Sequence, residues 1–591
     1  MMSPQELDET RARAIAAAQG REPFDLLLCN GTVVDTATSE LRPADIGIVG
    51  TLIASVHPRG AWNQAAETID CTGRYLAPGF IDMHVHFESS HMTPENYASV
   101  VVPQGTTTIF YDPHELANVL GLEGVRYAIE ASHDLLLRFI CSAPSSVPSA
   151  PGLEMCGAEI GGHEMTEMLQ WPEVAGVAEA MDMNGILNLS RRMRDVIGAG
   201  LASGKLIEGH ARGLTGARLQ AYAAAGVGSD HELTSGEDAL EKLRAGLTVE
   251  VRGSHDYVLP GIVEAVNQLP QVPSTLTICT DDVPPDTLIE SGGMCDVLRR
   301  LIGYGMDPVQ AIRCATLNAS HRLRRSDLGV IAAGRLADIV ELSDLRGVAV
   351  QRVFCGGKLA ARGREMVMPA EPSRVSPKPS SMRLEPFTLD QCRVAVPGVQ
   401  NGRAIIRAIR GARFAEWSQV EVNVREAFAE LPAGYGVILV RHRHGRHPAP
   451  VQCAVLEDWG EMRGAFATSY SHDSHNLVVI GRDPRDLQVA ANALIACGGG
   501  MAVAHGGRLA AIVEMPIAGM LSDARPARLA EEFRNVRLEA GKVIQWKLPY
   551  LTFKALEGTA LACNAGPHLT DLGLSDGSSG ELVSLLIAKT P

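Results

Sequence analysis

Along most of the chain, apolar positions come in blocks whose period switches between two and about 3.6. Short runs at residues 79–84, 106–111, 138–143, 174–180, 205–209, 226–229, 247–251 and 275–280 have the composition and length of strands. Helical spacing between them is clearest at 193–202, 236–244 and 294–304. Eight alternating strand and helix units imply a closed parallel (β/α)8 barrel. The doubly wound alternative would bring a glycine-rich phosphate loop early in the chain, and there is none. The sixth run is short and glycine-rich, and its neighbours carry its assignment.

The flanks follow the same reading. Residues 1–22 are charged and Ala-rich, a surface helix without the apolar core of a signal peptide. Strand-like pieces at 24–29, 32–34 and 45–56, punctuated by Asn30-Gly31 and Gly50, are too few to stand alone. Their expected partners lie beyond the barrel, at 337–342 and 352–354. The predicted order is a helix and part of a small β-domain (1–76), the barrel (77–330) and the rest of the β-domain (331–367). A Pro/Ser-rich linker (368–386) and a C-terminal α+β domain (387–591) follow, the latter with strands at 437–440, 477–480 and 509–514 and a helix at 484–496.

Composition narrows the partners. With 46% hydrophobic and 20% charged residues the chain can bury a large core. A formal charge of −15 argues against nucleic acid or an anionic membrane surface. The 12 cysteines are scattered without a CxxC, so a zinc ribbon is excluded and a disulfide framework is not expected. No run approaches the roughly 20 apolar residues of a membrane span. A soluble cytoplasmic protein is expected, assembled as a homo-oligomer, a dimer or higher.

Chemistry gathers at the strand ends. The first strand ends in His84-Val85-His86, whose alternate side chains share a face; Glu179 ends the fourth, His210 the fifth, His231 the sixth and Asp281 the eighth. Taken singly, each has an ordinary explanation: His210 in a turn, His231-Glu232 on a surface loop, Glu179 or Asp281-Asp282 capping a helix. A barrel brings such ends to one face. Six nitrogen and oxygen donors there suit two divalent ions bridged by a carboxylate and a hydroxide.

This layout resembles the amidohydrolase superfamily, and more closely its adenine deaminase family. Phrases that carry the likeness include Phe87-Glu88-Ser89-Ser90-His91, Tyr111-Asp112-Pro113-His114-Glu115, Ser229-Asp230-His231-Glu232 and Cys279-Thr280-Asp281-Asp282. Beyond the linker they include Ser471-His472-Asp473-Ser474-His475-Asn476 and Met515-Pro516-Ile517-Ala518-Gly519. The resemblance implies a metal-dependent-hydrolase barrel with His84, His86 and Asp281 on a first ion, His210 and His231 on a second, and Glu179 bridging. Manganese or iron(II) is the implied metal, with zinc compatible. Asp112 and His114 match a further polar cluster, read either as an additional metal site or as groups that orient the ligands. Three segments depart from the family pattern: Val283-Pro284-Pro285, Gly292-Gly293 and the basic run 441–447.

The implied reaction is hydrolytic deamination of adenine to hypoxanthine and ammonia, a step of purine salvage, with Asp281 shuttling the proton. Glu88 or Glu115 is a candidate by position to protonate the ring. Arg252 and Ser254 are candidates to contact the base, with helix capping the other reading of Ser254. His472 and His475 could cover the barrel mouth from the second domain. Rival readings are cyclic-amide hydrolysis by the same centre and a non-catalytic scaffold. His86-Phe87-Glu88 mimics the H-x-E of nucleic-acid deaminases, but the P-C-x-x-C that must accompany it is absent.

Overall fold

The computed structural model describes residues 4–368, 375–411, 415–448, 450–546 and 558–590. Its centre is a ring of eight parallel strands: β1 Phe80–Val85, β2 Thr106–Tyr111, β3 Arg138–Ala143, β4 Val174–Ala180, β5 Leu206–Gly209, β6 Ser229–Asp230, β7 Thr248–Arg252 and β8 Leu276–Cys279. Continuous ladders join β1 to β5 and β6 to β8. Two backbone bonds of 2.9 Å close the gaps, from Gly228 N–H to the Ile207 carbonyl and from Asp281 N–H to that of His84. β1 and β2 are buried along their whole length, because helices cover one face and the barrel interior the other. β6 is shorter than the pattern predicts. Gly226, at φ +104°, turns the chain out of helix Gly216–Ala224, and only two residues remain to pair.

Helix Pro4–Ala18 packs Ala14 and Ala17 on Phe24, Leu27 and Val49. The N-terminal strands divide between two sheets, which differs from the expectation that all would need distant partners. Phe24–Cys29, Asp45–Val49, Leu52–His57 and Ala65–Asp70 form a four-stranded sheet of their own. Its last strand is mostly exposed and lacks the apolar alternation that would reveal it. In the second sheet, of seven strands, Tyr75–Pro78 pairs antiparallel with Ile339–Leu342, so segments from either side of the barrel meet.

Beyond the barrel lies a ten-stranded sheet whose central strands, Tyr435–Arg441 and Leu477–Gly481, are buried on both faces. In its strand Tyr435–Arg441, Val437 and Leu439 join the core that contains Leu487 and Leu494 of helix Pro484–Cys497. Ile438 and Val440 point the other way, into a core shared with Phe533 of helix Pro526–Val543 and with Val85 and Leu116 of the barrel. That continuous core fixes the second domain against the barrel.

Two sequence expectations change here. The basic run 441–447, whose charge suggests a solvated loop, is instead buried at His442, Arg443 and His444. The Arg443 guanidinium donates to Ser381 Oγ (2.8 Å), the Ala518 carbonyl (3.1 Å) and the His475 carbonyl. Such an array lets a cation sit inside. The predicted linker is therefore fastened at Ser381, while its residues 369–374 lie outside the described residues. Among the described residues, no helix is long and apolar enough to cross a membrane.

Candidate metal centre

β1 delivers two imidazoles whose Nε2 atoms lie 3.1 Å apart. His86 donates from Nδ1 to the Asp112 carbonyl (3.0 Å), which leaves the Nε2 lone pair facing the centre. Glu179 leaves β4 with its carbonyl held by Ser145 Oγ (2.6 Å) and Ser146 Oγ (3.0 Å). Its carboxylate divides the histidines. Oε1 lies 3.3 Å from His86 Nε2 and 3.9 Å from His84 Nε2, whereas Oε2 lies 2.6 Å from His210 Nδ1 and 3.3 Å from His231 Nε2. Asp281 Oδ1 completes the first group at 3.5 Å from His84 and 3.3 Å from His86.

Local sequence explains the placement. Gly209 precedes His210, and a Cβ there would stand 2.2 Å from the Ser229 carbonyl oxygen, so glycine lets β5 approach β6. Buried Tyr222 donates its hydroxyl to the Ala180 carbonyl (2.8 Å) and accepts from His210 N–H (2.9 Å), tying the end of β4 to His210. Tyr222→Phe is expected to cost about 1–3 kcal/mol, because it leaves that buried carbonyl and N–H unpartnered. Urea unfolding checks the loss of stability, and weaker metal retention by the folded variant checks the loss of aim. Asp281 has φ +61°, a left-handed conformation unusual outside glycine that stores roughly 1–3 kcal/mol. It is held there by its bond to the His84 carbonyl and by its neighbour Thr280, whose N–H and hydroxyl donate to Asp82 at 3.0 and 2.5 Å.

The donors fit divalent metal. With its proton on Nδ1, His86 presents a lone pair to two carboxylate oxygens at once, an arrangement that calls for a cation between them. Separations near 3.3 Å also match the edges of a coordination shell with bonds of about 2.0–2.2 Å. Three overlapping groups of close-set donors are present: His86, Asp112, His114 and Glu179; His84, His231 and Asp281; and Glu179, His210 and His231.

Arg252 supplies the counter-charge. It is ion-paired with Asp281 and Glu232 and lies 3.4 Å from Asp282. Burial pushes the Asp281 carboxyl up, but the Arg252 guanidinium and the adjoining histidines hold it well below the usual carboxylate range. Glu232 is held down likewise, burial being outweighed first by Arg252.

Several sequence candidates take other places. Ser254 accepts from Arg252 Nε (2.5 Å) and so positions the guanidinium; it does not line the cavity. Glu115 accepts from Tyr470 Oη (2.9 Å) and is ion-paired with His472 and His475, so its carboxyl is engaged by the second domain. Glu88, on the turn Phe87–Ser90, is fully buried and also away from the cavity. Burial, with Glu115 beside it, pushes its carboxyl up to about 8. Asp112 Oδ2 accepts from His114 Nδ1 (3.0 Å), and His114 Nε2 faces Asp473 Oδ1 (3.0 Å). His114, Glu115, His472 and Asp473 form a further donor group across the two domains.

Above the centre lies a cavity of about 820 Å³. His86, Glu179, His210, His231 and Asp281 form part of its lining, with Arg252, Glu232 and Asp282 beside them. Met181, Trp459, His472 and Leu561 also line it, so the second domain supplies part of its wall. Sequence reasoning assigned Glu232 no role, although its place beside His231 at a strand end was a usable signal. Val283-Pro284-Pro285 and Gly292-Gly293 are outside the lining.

A closed parallel barrel with a carboxylate shared among five histidines, His114 among them at 3.4 Å, at its C-terminal face defines an amidohydrolase-type protein. The amidohydrolase family pattern matches residues 75–360, and the adenine deaminase C-terminal domain pattern matches residues 413–581. The chain is 59% identical to an adenine deaminase of Serratia proteamaculans, over 98% of its own length and 97% of the relative's. It is 58% identical to one of Klebsiella pneumoniae (98% and 96%) and 35% identical to one of Moorella thermoacetica (98% and 98%). The chain belongs to the adenine deaminase family.

Proposed function

We propose that the protein hydrolyses adenine to hypoxanthine and ammonia, with two divalent ions that Glu179 and the histidines and aspartate around it would hold. His84, His86 and Asp281 would hold one, and His210 and His231 the other; manganese, iron(II) and zinc all suit the nitrogen and oxygen donors. When bound, such ions supply Lewis acidity and make water a nucleophile near neutral pH. The protein's own groups do the rest. Water adds at C6 and the C6–N6 bond breaks; one water proton ends on the ring nitrogen next to C6, and the other leaves with the amine as ammonia. Asp281 lines the cavity and is kept ionised by Arg252, so it can accept that proton and pass it on. Arg252 keeps Asp281 aimed, and Met181, Trp459 and Leu561 offer apolar surface to a flat ring.

The observation that carries this reading is the division of the Glu179 oxygens between two sets of donors, at the base of a cavity walled by the second domain. Val283-Pro284-Pro285, the departure that leaves cyclic-amide hydrolysis open as a rival, lies outside that lining, and all six donors of the centre are present, which disfavours a scaffold. Incubating manganese-loaded protein with adenine should release ammonia and hypoxanthine in equal amounts. Turnover of a cyclic amide with no ammonia from adenine would overturn the proposal.

A further inference from the structure

The basic run that departs from the family pattern places two histidines beside a third donor, remote from the barrel centre. His442 follows the strand Tyr435–Arg441, and Asp571 follows the strand Pro567–Thr570. Asp571 Oδ2 lies 3.2 Å from His442 Nδ1 and 3.0 Å from His447 Nε2, and the imidazole centroids are 4.3 Å apart. The three form a close-set donor group, and none of them lines the cavity.

At His447, proton accounting points to a cation. His447 Nδ1 faces the Pro448 carbonyl at 2.6 Å, a contact that requires the proton on Nδ1. In the neutral ring, Nε2 then turns a lone pair toward Asp571 Oδ2, acceptor against acceptor. His442 is 1% exposed and aims Nδ1 at the same oxygen; its Nε2 accepts a long bond from Arg446 N–H (3.4 Å), which a metal on Nδ1 would displace by moving the ring proton to Nε2. Asp571 is fixed independently, since its Oδ1 accepts from Met155 N–H (3.0 Å). The gaps of 3.0 and 3.2 Å are near the roughly 3.3 Å edge of a tetrahedron with bonds of about 2.0–2.1 Å.

We propose that His442, His447 and Asp571 bind a divalent transition metal, zinc by donor type, as a clamp that joins the two C-terminal segments lying against the barrel segment 153–159. Two imidazoles and a carboxylate form a three-ligand zinc set, and the partly exposed His447 side leaves a fourth position for water. The surroundings suit a clamp. Thr570 Oγ1 donates to the Leu153 carbonyl (2.5 Å), Arg446 donates to the Cys156 carbonyl (3.0 Å), and Arg446 is paired with Glu159 at 2.9 Å. The donors therefore sit where two C-terminal segments grip the barrel segment 153–159.

Plasma mass spectrometry of the full chain tests the clamp, after equilibration with zinc(II) and desalting. Wild type should carry one more zinc per chain than His447→Ala, with barrel occupancy equal in the two. Zinc affinity at this position should fall at least about a hundredfold in the variant. Asp571→Asn provides a second, less truncating variant and should lose the same equivalent. Glu179→Gln, which removes the bridging barrel donor, should retain it. Equal zinc content in wild type, His447→Ala and Asp571→Asn would overturn the proposal and leave the trio as a protonated ion pair.

Discussion

Glu179→Gln is expected to empty both barrel metal positions together and to lower adenine turnover at least about a thousandfold, roughly 4 kcal/mol of transition-state stabilisation. The reason is geometric. Both carboxylate oxygens are in use, one toward His84 and His86 and the other toward His210 and His231. An amide keeps the volume but offers one oxygen and one N–H donor group, so whichever way it turns, one set of imidazoles faces a donor. The neutral group also removes the negative charge that five histidines share. His84→Ala should instead weaken one position and leave the Glu179, His210 and His231 group intact. Metal analysis of both variants, with thermal melting in the presence and absence of manganese, separates the cases. Metal should raise the wild-type midpoint by mass action and leave that of Glu179→Gln almost unchanged. Retention of both ions by Glu179→Gln would remove it from the bridging role.

What could be read from the sequence and what could not divide along physical lines. β2, β3 and β4 appear at their predicted bounds because each is a short run rich in β-branched, aromatic or small apolar residues between turn residues. Helix Gly236–Arg244 does too, with Ser235 at its cap accepting from Asp238 N–H at 3.1 Å. β6 was blurred because two residues cannot carry a period, and Ala65–Asp70 was lost because an exposed edge needs no apolar alternation. Histidines and carboxylates at strand ends were legible because barrel topology sends those ends to one face. Facing between distant segments was not. Nothing local tells that His472 will engage Glu115, that Ser254 will turn to Arg252, or that Asp473 will reach His114. Those pairings depend on how the second domain and the β7 loop dock, which is a property of the cores rather than of any spacing.

Asp281→Asn separates holding metal from moving the proton. In the native centre one oxygen faces His84 and His86 while the other is ion-paired with Arg252. An asparagine that turns its oxygen to the histidines sets its amide N–H groups against the guanidinium. The reverse rotamer sets N–H groups against the metal donors. Either way the first position should bind metal more weakly, and excess manganese should restore occupancy by mass action. The amide cannot accept the proton from water at neutral pH under any occupancy. With metal content restored, kcat should therefore remain about 10²–10⁴-fold below wild type, the range for loss of a positioned general base. A ligand role alone predicts recovery of kcat along with the metal, and such recovery would transfer the proton step to another group in the cavity. Glu232 is poorly placed to take it over, since its carboxylate is ion-paired with both Arg252 and Arg212. His472 lines the cavity from the second domain, as do His568 and Glu416, and it can carry a proton, so His472→Gln combined with Asp281→Asn should lower kcat further only if the step has moved to His472.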